Sequence, residues 1–249
     1  IGGGPHASAI PERTISETGL DGVVCGEGEL AMLDIANGRS LRDVRGLTYR
    51  DGNVIKSNGR APLVNDLDKL PFPARDLFPV RDYRPHTYYR RKVAWANMIT
   101  ARGCPYQCIF CASRAVFEQR YRVRSVGNVI SEMRSIIESY GVRDITFVDD
   151  EFLINRRRVL ELCERIIEEG FDVTWYCFAR VDHVDLDLLK LMKKAGCYYI
   201  LYGIESGDQN ILDITRKGIT LEQAARAIKW TREAEILSCA TFMIGLPYE

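Results

Sequence analysis

The sequence predicts an α/β protein whose sheet is built from parallel βαβ units from about Val93 onward. Three observations carry this. Apolar helical stripes stop at Gly141, Gly170 and Gly196, and each glycine is soon followed by a strand-like run. Strands alternating with helices of this length are the pattern of parallel connections. The polar groups Thr100–Cys104, Asp149–Glu151, Arg180, Glu205 and Gly245–Pro247 fall just beyond strand C-termini, where α/β barrels and open α/β sheets both place their chemistry. Periodicity leaves barrel and open sheet as alternatives.

Taken in order, Gly22–Cys25 reads as a short strand ahead of Gly26-Glu27-Gly28-Glu29. Gly46–Arg50 and Val54–Ser57 flank Asp51-Gly52-Asn53, a hairpin signal. Residues 61–87 carry five of the nine prolines and read as an extended connector. Val129, Ile130, Met133, Ile136, Ile137 and Tyr140 form a helical stripe, followed by the strand Asp144–Val148. Val159, Leu160, Leu162, Cys163, Ile166 and Ile167 share a second helix face, and Val173–Phe178 is the next strand. A third helix starts near Asp185, a suitable N-cap, with Leu188, Leu189, Met192 and Ala195 apolar. Strand Tyr198–Ile204, helical sequence around Leu221–Glu235 and strand Cys239–Leu246 complete the series. Three regions are expected: 1–45, a hairpin-and-connector region 46–92, and the βα-repeat region 93–249.

Composition narrows the class. Hydrophobic residues make up 46% and charged residues 27%, ordinary for a globular protein. Lys plus Arg and Asp plus Glu stand at 34 each, so no net charge draws the chain to nucleic acid or membrane. No apolar run approaches the roughly 18–20 residues that span a bilayer, and no signal peptide is visible. The eight cysteines are unevenly placed, unlike a disulfide scaffold: Cys25, Cys163, Cys177, Cys197 and Cys239 are scattered and read as small apolar residues. A reducing cytoplasm is the expected compartment. The opening Ile1-Gly2-Gly3-Gly4-Pro5 and the closing Gly245-Leu246-Pro247-Tyr248-Glu249 read as the ends of an internal fragment.

The remaining cysteines, Cys104, Cys108 and Cys111, form C-x-x-x-C-x-x-C in a loop between a strand and a helix. Three adjacent thiolates suit a soft metal centre. A [4Fe–4S] cubane with only three Cys ligands keeps one iron open, which makes a catalytic centre of an electron carrier. Zinc is the rival, but a structural zinc site wants four protein ligands, and the nearest histidine, His86, lies across the proline-rich connector. Three unligated cysteines are the remaining alternative.

With this motif the sequence resembles the radical S-adenosylmethionine superfamily, and within it the branch that carries a cobalamin-binding domain. The resemblance covers nearly the whole chain and is most specific over residues 98–249. It implies a partial (β/α)6 TIM-like barrel, truncated after about its fifth strand and preceded by the tail of a flavodoxin-like cobalamin-binding domain. By resemblance, the open iron chelates the amino and carboxylate groups of S-adenosylmethionine, and one electron cleaves the sulfonium to a 5′-deoxyadenosyl radical. Phe110 matches the aromatic position near the adenine. Asp149, Asp150 and Glu151 match the place where the family meets the methionine ammonium, as carboxylates or carbonyls can. Arg180 matches a basic group near the methionine carboxylate, Glu205 a polar residue near the cofactor, and Gly245 and Pro247 a segment lining the adenine pocket. Taken singly, residues 149–151 also read as a solvated acidic loop and Arg180 as a surface salt bridge.

Gly3 and Gly4, with Gly26-Glu27-Gly28-Glu29, resemble the end of a cobalamin-binding domain, whose glycine turn lets the corrin's nucleotide tail pass close to the backbone. A plain Gly-rich turn is the alternative. The family's lower-ligand histidine has no counterpart here, and His6 is not that ligand. The resemblance implies methyl transfer, or oxidative rearrangement or cyclisation, at an unactivated carbon of a small or hydrophobic metabolite, with a reductant such as flavodoxin or ferredoxin. A radical methylthiotransferase acting on tRNA or a ribosomal protein is a second reading, disfavoured because residues 1–90 contain only Cys25 and no RNA footprint is visible. A zinc- or cluster-stabilised binding module is a third, disfavoured by the polar groups at successive strand ends. Tyr88, Tyr89, Arg90 and Arg91 could stand at a barrel entrance or in a solvated linker.

Overall fold

A computed structural model describes residues 1–83 and 94–249. His86, Tyr88, Tyr89, Arg90 and Arg91 lie outside the described residues. The chain divides into two compact units: Ile1–Asp66 with Gly103–Arg122, and Leu67–Arg102 with Val123–Glu249.

In the first unit Gly2 forms an isolated parallel bridge to Val23, with α1 (Pro5–Ala9) and α2 (Pro11–Thr18) between them. Each helix begins on a proline, where the missing N–H costs nothing, and α2 stops at Gly19 in the left-handed conformation. Neither helix was apparent in the Gly-rich, polar sequence. Strand β1 (Gly22–Val24) pairs antiparallel with β2 (Leu47–Asp51), and β2 with β3 (Val54–Ser57) around Gly52 at φ 60°. The expected hairpin is present, and it shares a sheet with β1 across the 45/46 division drawn from sequence. Helix α3 (Glu29–Ala36) follows β1, and α4 (Arg114–Phe117), from the cysteine-bearing segment, packs beside α1.

The second unit contains β4 (Trp95–Met98). The short strands β5 (Ala101–Arg102) and β6 (Arg122–Val123) bracket the cysteine-bearing segment in the chain. Then come α5 (Val126–Tyr140), β7 (Asp144–Phe147), α6 (Arg156–Glu168), β8 (Thr174–Ala179), α7 (Leu186–Lys194), β9 (Cys197–Glu205), α8 (Gln209–Ile214), α9 (Leu221–Glu233) and β10 (Leu237–Phe242). The five long strands form one sheet in the order β10-β9-β8-β7-β4, and every pair is parallel. The α/β class and the strand series are as expected, and α8 is an addition.

Local chemistry explains the boundaries. Ser125, Asn155, Asp185 and Thr220 cap α5, α6, α7 and α9, each accepting a hydrogen bond from an N–H of the first turn. Gly141 ends α5 with φ 68°. Gly196, at φ 97°, follows α7 where a Cβ would stand 2.4 Å from the Val173 carbonyl oxygen, so the turn into β9 admits no side chain. On the helix side of the sheet Phe147, Phe152 and Trp175 are fully buried, with the two phenyl rings stacked at 4.8 Å. The Trp175 indole N–H donates to Ala195 O at 2.7 Å. The opposite face carries Tyr176, Tyr198 and Tyr199, with Phe178, Leu201 and Cys239 against them.

The proline-rich stretch is not the extended connector expected from its composition. It contains 3-10 turns at Leu67–Lys69, Arg75–Leu77 and Val80–Asp82, and Leu67, Arg75 and Val80 are buried. The cause is Arg75, whose guanidinium lies 2.6 Å from Glu132 of α5 and donates to Asn97 O of β4 at 2.9 Å. Glu132, 1% exposed, also pairs with Arg124, which donates to Ile99 O at 2.8 Å. No helix among the described residues is long and apolar enough to cross a membrane.

Removing the shared carboxylate leaves two buried guanidinium groups unpaired. Glu132→Ala is expected to lower stability by about 3–5 kcal/mol, the usual effect of breaking a buried pair, and urea unfolding of wild type and variant measures it.

Candidate active site

In the first unit, the segment after Gly103 carries the three motif cysteines. Gly103 stands at φ 81°, and a Cβ there would lie 2.3 Å from the Arg120 carbonyl oxygen and 3.0 Å from Phe117 Cβ. The segment therefore closes on itself at a position only glycine can fill. Cys111 N–H donates to Cys108 O at 3.1 Å, a tight turn that sets these two thiols, and Ser113 N–H points at Cys111 Sγ from 3.5 Å. Cys108 is buried, Cys104 and Phe110 are half-buried and Cys111 is exposed. No group of three His, Cys, Asp or Glu side chains among the described residues converges to hold a single metal ion. A cubane does not require that convergence, because each thiolate meets a different iron. The donor set fits such a cluster: three soft thiols, one aided by a backbone N–H donor, on a loop of fixed closure.

In the second unit the strand C-termini carry the other expected residues, in distinct roles. Asp149, 2% exposed, accepts from the Thr100 N–H at 2.6 Å and from the Thr100 hydroxyl. Burial pushes its pKa up to about 6, against the lowering effect of the Thr100 bonds and of Arg158 nearby. Arg158 donates to Thr100 O at 2.9 Å and to Arg124 O at 3.0 Å. Asp150 is exposed. Glu151, also 2% exposed, accepts from Leu153 N–H at 3.1 Å and Arg180 N–H at 3.3 Å, and lies 3.0 Å from His183 Nδ1. Burial alone would lower the His183 pKa, but Glu151 outweighs this and raises it.

Arg180 is turned inward. It forms a two-pronged pair with Asp182, at 2.9 Å on each prong, and donates to Lys217 O at 2.8 Å and Gly218 O at 3.3 Å. Its guanidinium thus anchors the loop after α8. The basic group beside Glu205 is Lys217, 3.3 Å away and 6% exposed. Glu205 itself adopts φ 75°, a strained conformation for a non-glycine residue at a strand end. Gly203 belongs to this pair, because a Cβ there would lie 2.5 Å from Glu205 Oε1 and 3.0 Å from Lys217 Nζ. Gly245 and Pro247 are exposed beyond β10, where the Gly245 N–H donates to Glu249 at 2.6 Å.

Lys217 was not singled out from the sequence. The available signal is its place just before Gly218, in the loop after the helix that follows Glu205. Four of the five scattered cysteines behave as expected: Cys25, Cys163, Cys177 and Cys197 are buried and unbridged, and burial pushes the Cys163 and Cys177 thiols well up, while Cys239 is half-buried.

A parallel α/β unit with polar groups at consecutive strand ends, and a three-thiol loop following its first long strand in the chain, defines a class of metal-cluster protein. The chain belongs to the radical SAM superfamily, which it matches over residues 98–249. It is 35% identical to an uncharacterised methyltransferase of Pyrococcus horikoshii, over 99% of this chain and 54% of the relative. It is 34% identical to the anaerobic magnesium-protoporphyrin IX monomethyl ester cyclase of Cereibacter sphaeroides, over 99% of this chain and 42% of the relative. The chain thus spans about half the length of these curated relatives. Its fold is that of the radical S-adenosylmethionine methyltransferase TsrM of Kitasatospora setae, solved with cobalamin and a [4Fe–4S] cluster: TM-score 0.77 and 23% identity, over 100% of this chain and 50% of that one.

The Asp149 pKa has a direct consequence. Its value in the folded state lies above the ordinary 3.8, so ionisation opposes folding, and stability falls as pH rises from about 3.8 to about 6. Asp149→Asn is expected to remove this fall, and urea midpoints of both proteins at a series of pH values across that window test it.

Proposed function

We propose that the full protein is a cobalamin-dependent radical S-adenosylmethionine enzyme that modifies an unactivated carbon, by methyl transfer or by oxidative rearrangement or cyclisation. The observation that carries this is the C-x-x-x-C-x-x-C loop, Cys104, Cys108 and Cys111, in a radical SAM chain. Cys104, Cys108 and Cys111 would hold a [4Fe–4S] cluster, which would supply one-electron reduction for reductive cleavage of S-adenosylmethionine, while cobalamin would supply a methyl carrier. The chain's own residues bind and orient. By the resemblance, Phe110 would meet the adenine, and Gly245 and Pro247 are likewise assigned to adenine binding. Asp150 and the carbonyls at the end of β7 accept from the methionine ammonium. Asp149 and Glu151 hold the neighbouring backbone rather than the ligand. Glu205 and Lys217 offer a carboxylate and an ammonium to the zwitterion, in the place given to Arg180 from sequence.

Cobalamin is assigned to the N-terminal side, with residues 1–45 as the end of its domain. Gly4, at φ 94° and ψ −179°, holds a conformation essentially reserved for glycine. A Cβ at Gly3 would lie 3.7 Å from Val24 O, an ordinary contact, so among the described residues no packing demands glycine there. Close passage of the corrin's nucleotide tail along the backbone would demand it. The names of the relatives favour a small or hydrophobic substrate, since one is a porphyrin ester cyclase and another, of Streptomyces wedmorensis, a cytidylyl-2-hydroxyethylphosphonate methyltransferase. The aromatic sheet face of Tyr176, Phe178 and Tyr199 is compatible with an apolar substrate. Electrons would come from a flavodoxin- or ferredoxin-type donor, and a cytoplasmic setting suits the reduced thiols.

The test is electron paramagnetic resonance of anaerobically reconstituted, reduced protein. A four-iron signal that shifts when S-adenosylmethionine is added, and that is lost in Cys104→Ala, Cys108→Ala and Cys111→Ala, is expected. Folded protein that binds zinc and takes up no iron would refute the reading.

A further inference from the structure

The segment Gly103–Arg122 belongs to the same compact unit as the N-terminal residues, and its last residue is held by a buried ion pair. Arg122 Nη1 lies 2.7 Å from Glu27 Oε2 and donates to Val64 O at 2.6 Å. The same Glu27 oxygen accepts from the Val64 N–H at 2.6 Å. The two side chains are 1% and 8% exposed, for Glu27 and Arg122 respectively. The guanidinium carbon also sits 5.9 Å from the centre of the Phe117 ring, in the same segment.

Glu27 is driven to this place by the turn that precedes it. Gly26, at φ 102°, donates its N–H to Ser8 Oγ at 3.0 Å, and Cys25 O accepts from the Ala61 N–H at 2.9 Å. With both sides of the turn pinned, the Glu27 side chain points into the unit. Within the Gly26-Glu27-Gly28-Glu29 motif, Glu27 is thus turned into the unit, while Glu29 is exposed.

We infer that Glu27, acting through Arg122, is a positioning residue for the cysteine-bearing segment. The inference rests on the cluster reading above. The segment closes at Gly103 against Arg120 and Phe117, and Arg122 follows that closure directly. Fixing Arg122 therefore fixes the closure, and with it the spacing of the three thiols. The energetic argument points the same way. A buried carboxylate–guanidinium pair is seldom more stabilising than two apolar side chains of the same volume, whereas its directional bonds define one register. A pair whose only task was packing would be replaceable by apolar residues.

That replacement is the experiment, made in the full-length protein reconstituted anaerobically. Wild type, Glu27→Gln, and the double variant Glu27→Leu with Arg122→Met are compared by melting temperature before reconstitution. They are then compared by cluster half-life under chelator and by the shift of the reduced-cluster resonance on adding S-adenosylmethionine. Glu27→Gln is expected to shorten the half-life by on the order of tenfold, the effect of removing groups that orient ligands, and to weaken the shift. The double variant should recover the melting temperature but neither cluster property. Recovery of the cluster properties together with melting would make the pair a packing element, and unchanged cluster behaviour in Glu27→Gln would also overturn the inference. A wild-type protein without a four-iron resonance would instead bring down the functional reading, and this inference with it.

Discussion

Strand β4 lies at the edge of the parallel sheet, where among the described residues it pairs with β7, and its outward backbone groups, with those of Ile99 and Thr100 just beyond it, must find partners elsewhere. Three arginines supply them as the chain leaves the sheet. Arg75 takes Asn97 O, Arg124 takes Ile99 O and Arg158 takes Thr100 O, while Asp149 receives the Thr100 N–H. Each brings a different element to the same few residues: the proline-rich stretch, the lead into α5, the first turn of α6 and the end of β7. Glu132 binds two of the three cations, so the backbone that runs on to the cysteines is set by buried charge as much as by apolar packing.

This division of labour clarifies the strand ends. Acidic residues there were read as one ligand-facing group, yet Asp149 and Glu151 spend their oxygens on backbone N–H groups and on His183. An ionisable group that holds a loop from within is seldom also available to a ligand. Asp150 is exposed, and Glu205 pairs with Lys217 at the end of β9. The left-handed backbone of Glu205 marks a position where local strain is kept because neighbouring groups over-determine it.

Much of this was legible in the sequence, for identifiable reasons. The helices α5, α6, α7 and α9 show a clear apolar period and a local cap or glycine stop, and the βα order follows from them. The cysteine loop was legible because its chemistry lies within a few consecutive residues. The ion pairs were not. Glu27 and Arg122 are 95 positions apart, and Arg75 and Glu132 are likewise remote, so neither local pattern nor composition connects them. Composition misled where the prolines of the connector suggested an extended chain, since the buried Arg75 is what gives that stretch its turns. The helices α1 and α2 were hidden by polar residues and by glycines that belong to the preceding bridge.

The placement of the cysteine segment separates inheritance from mechanics. The superfamily match starts at residue 98 and runs to the last residue, and it would pass for a self-sufficient module. Physically it is not one, because residues 103–122 in its midst are packed with Ile1–Asp66. A gene rearrangement that moved residues 98–249 to a new partner would leave Arg122 without Glu27 and Val64, and the new neighbour would have to supply another buried anion. Recombination in this lineage should therefore favour breakpoints upstream of Glu27, keeping Glu27, Val64 and Arg122 in one chain.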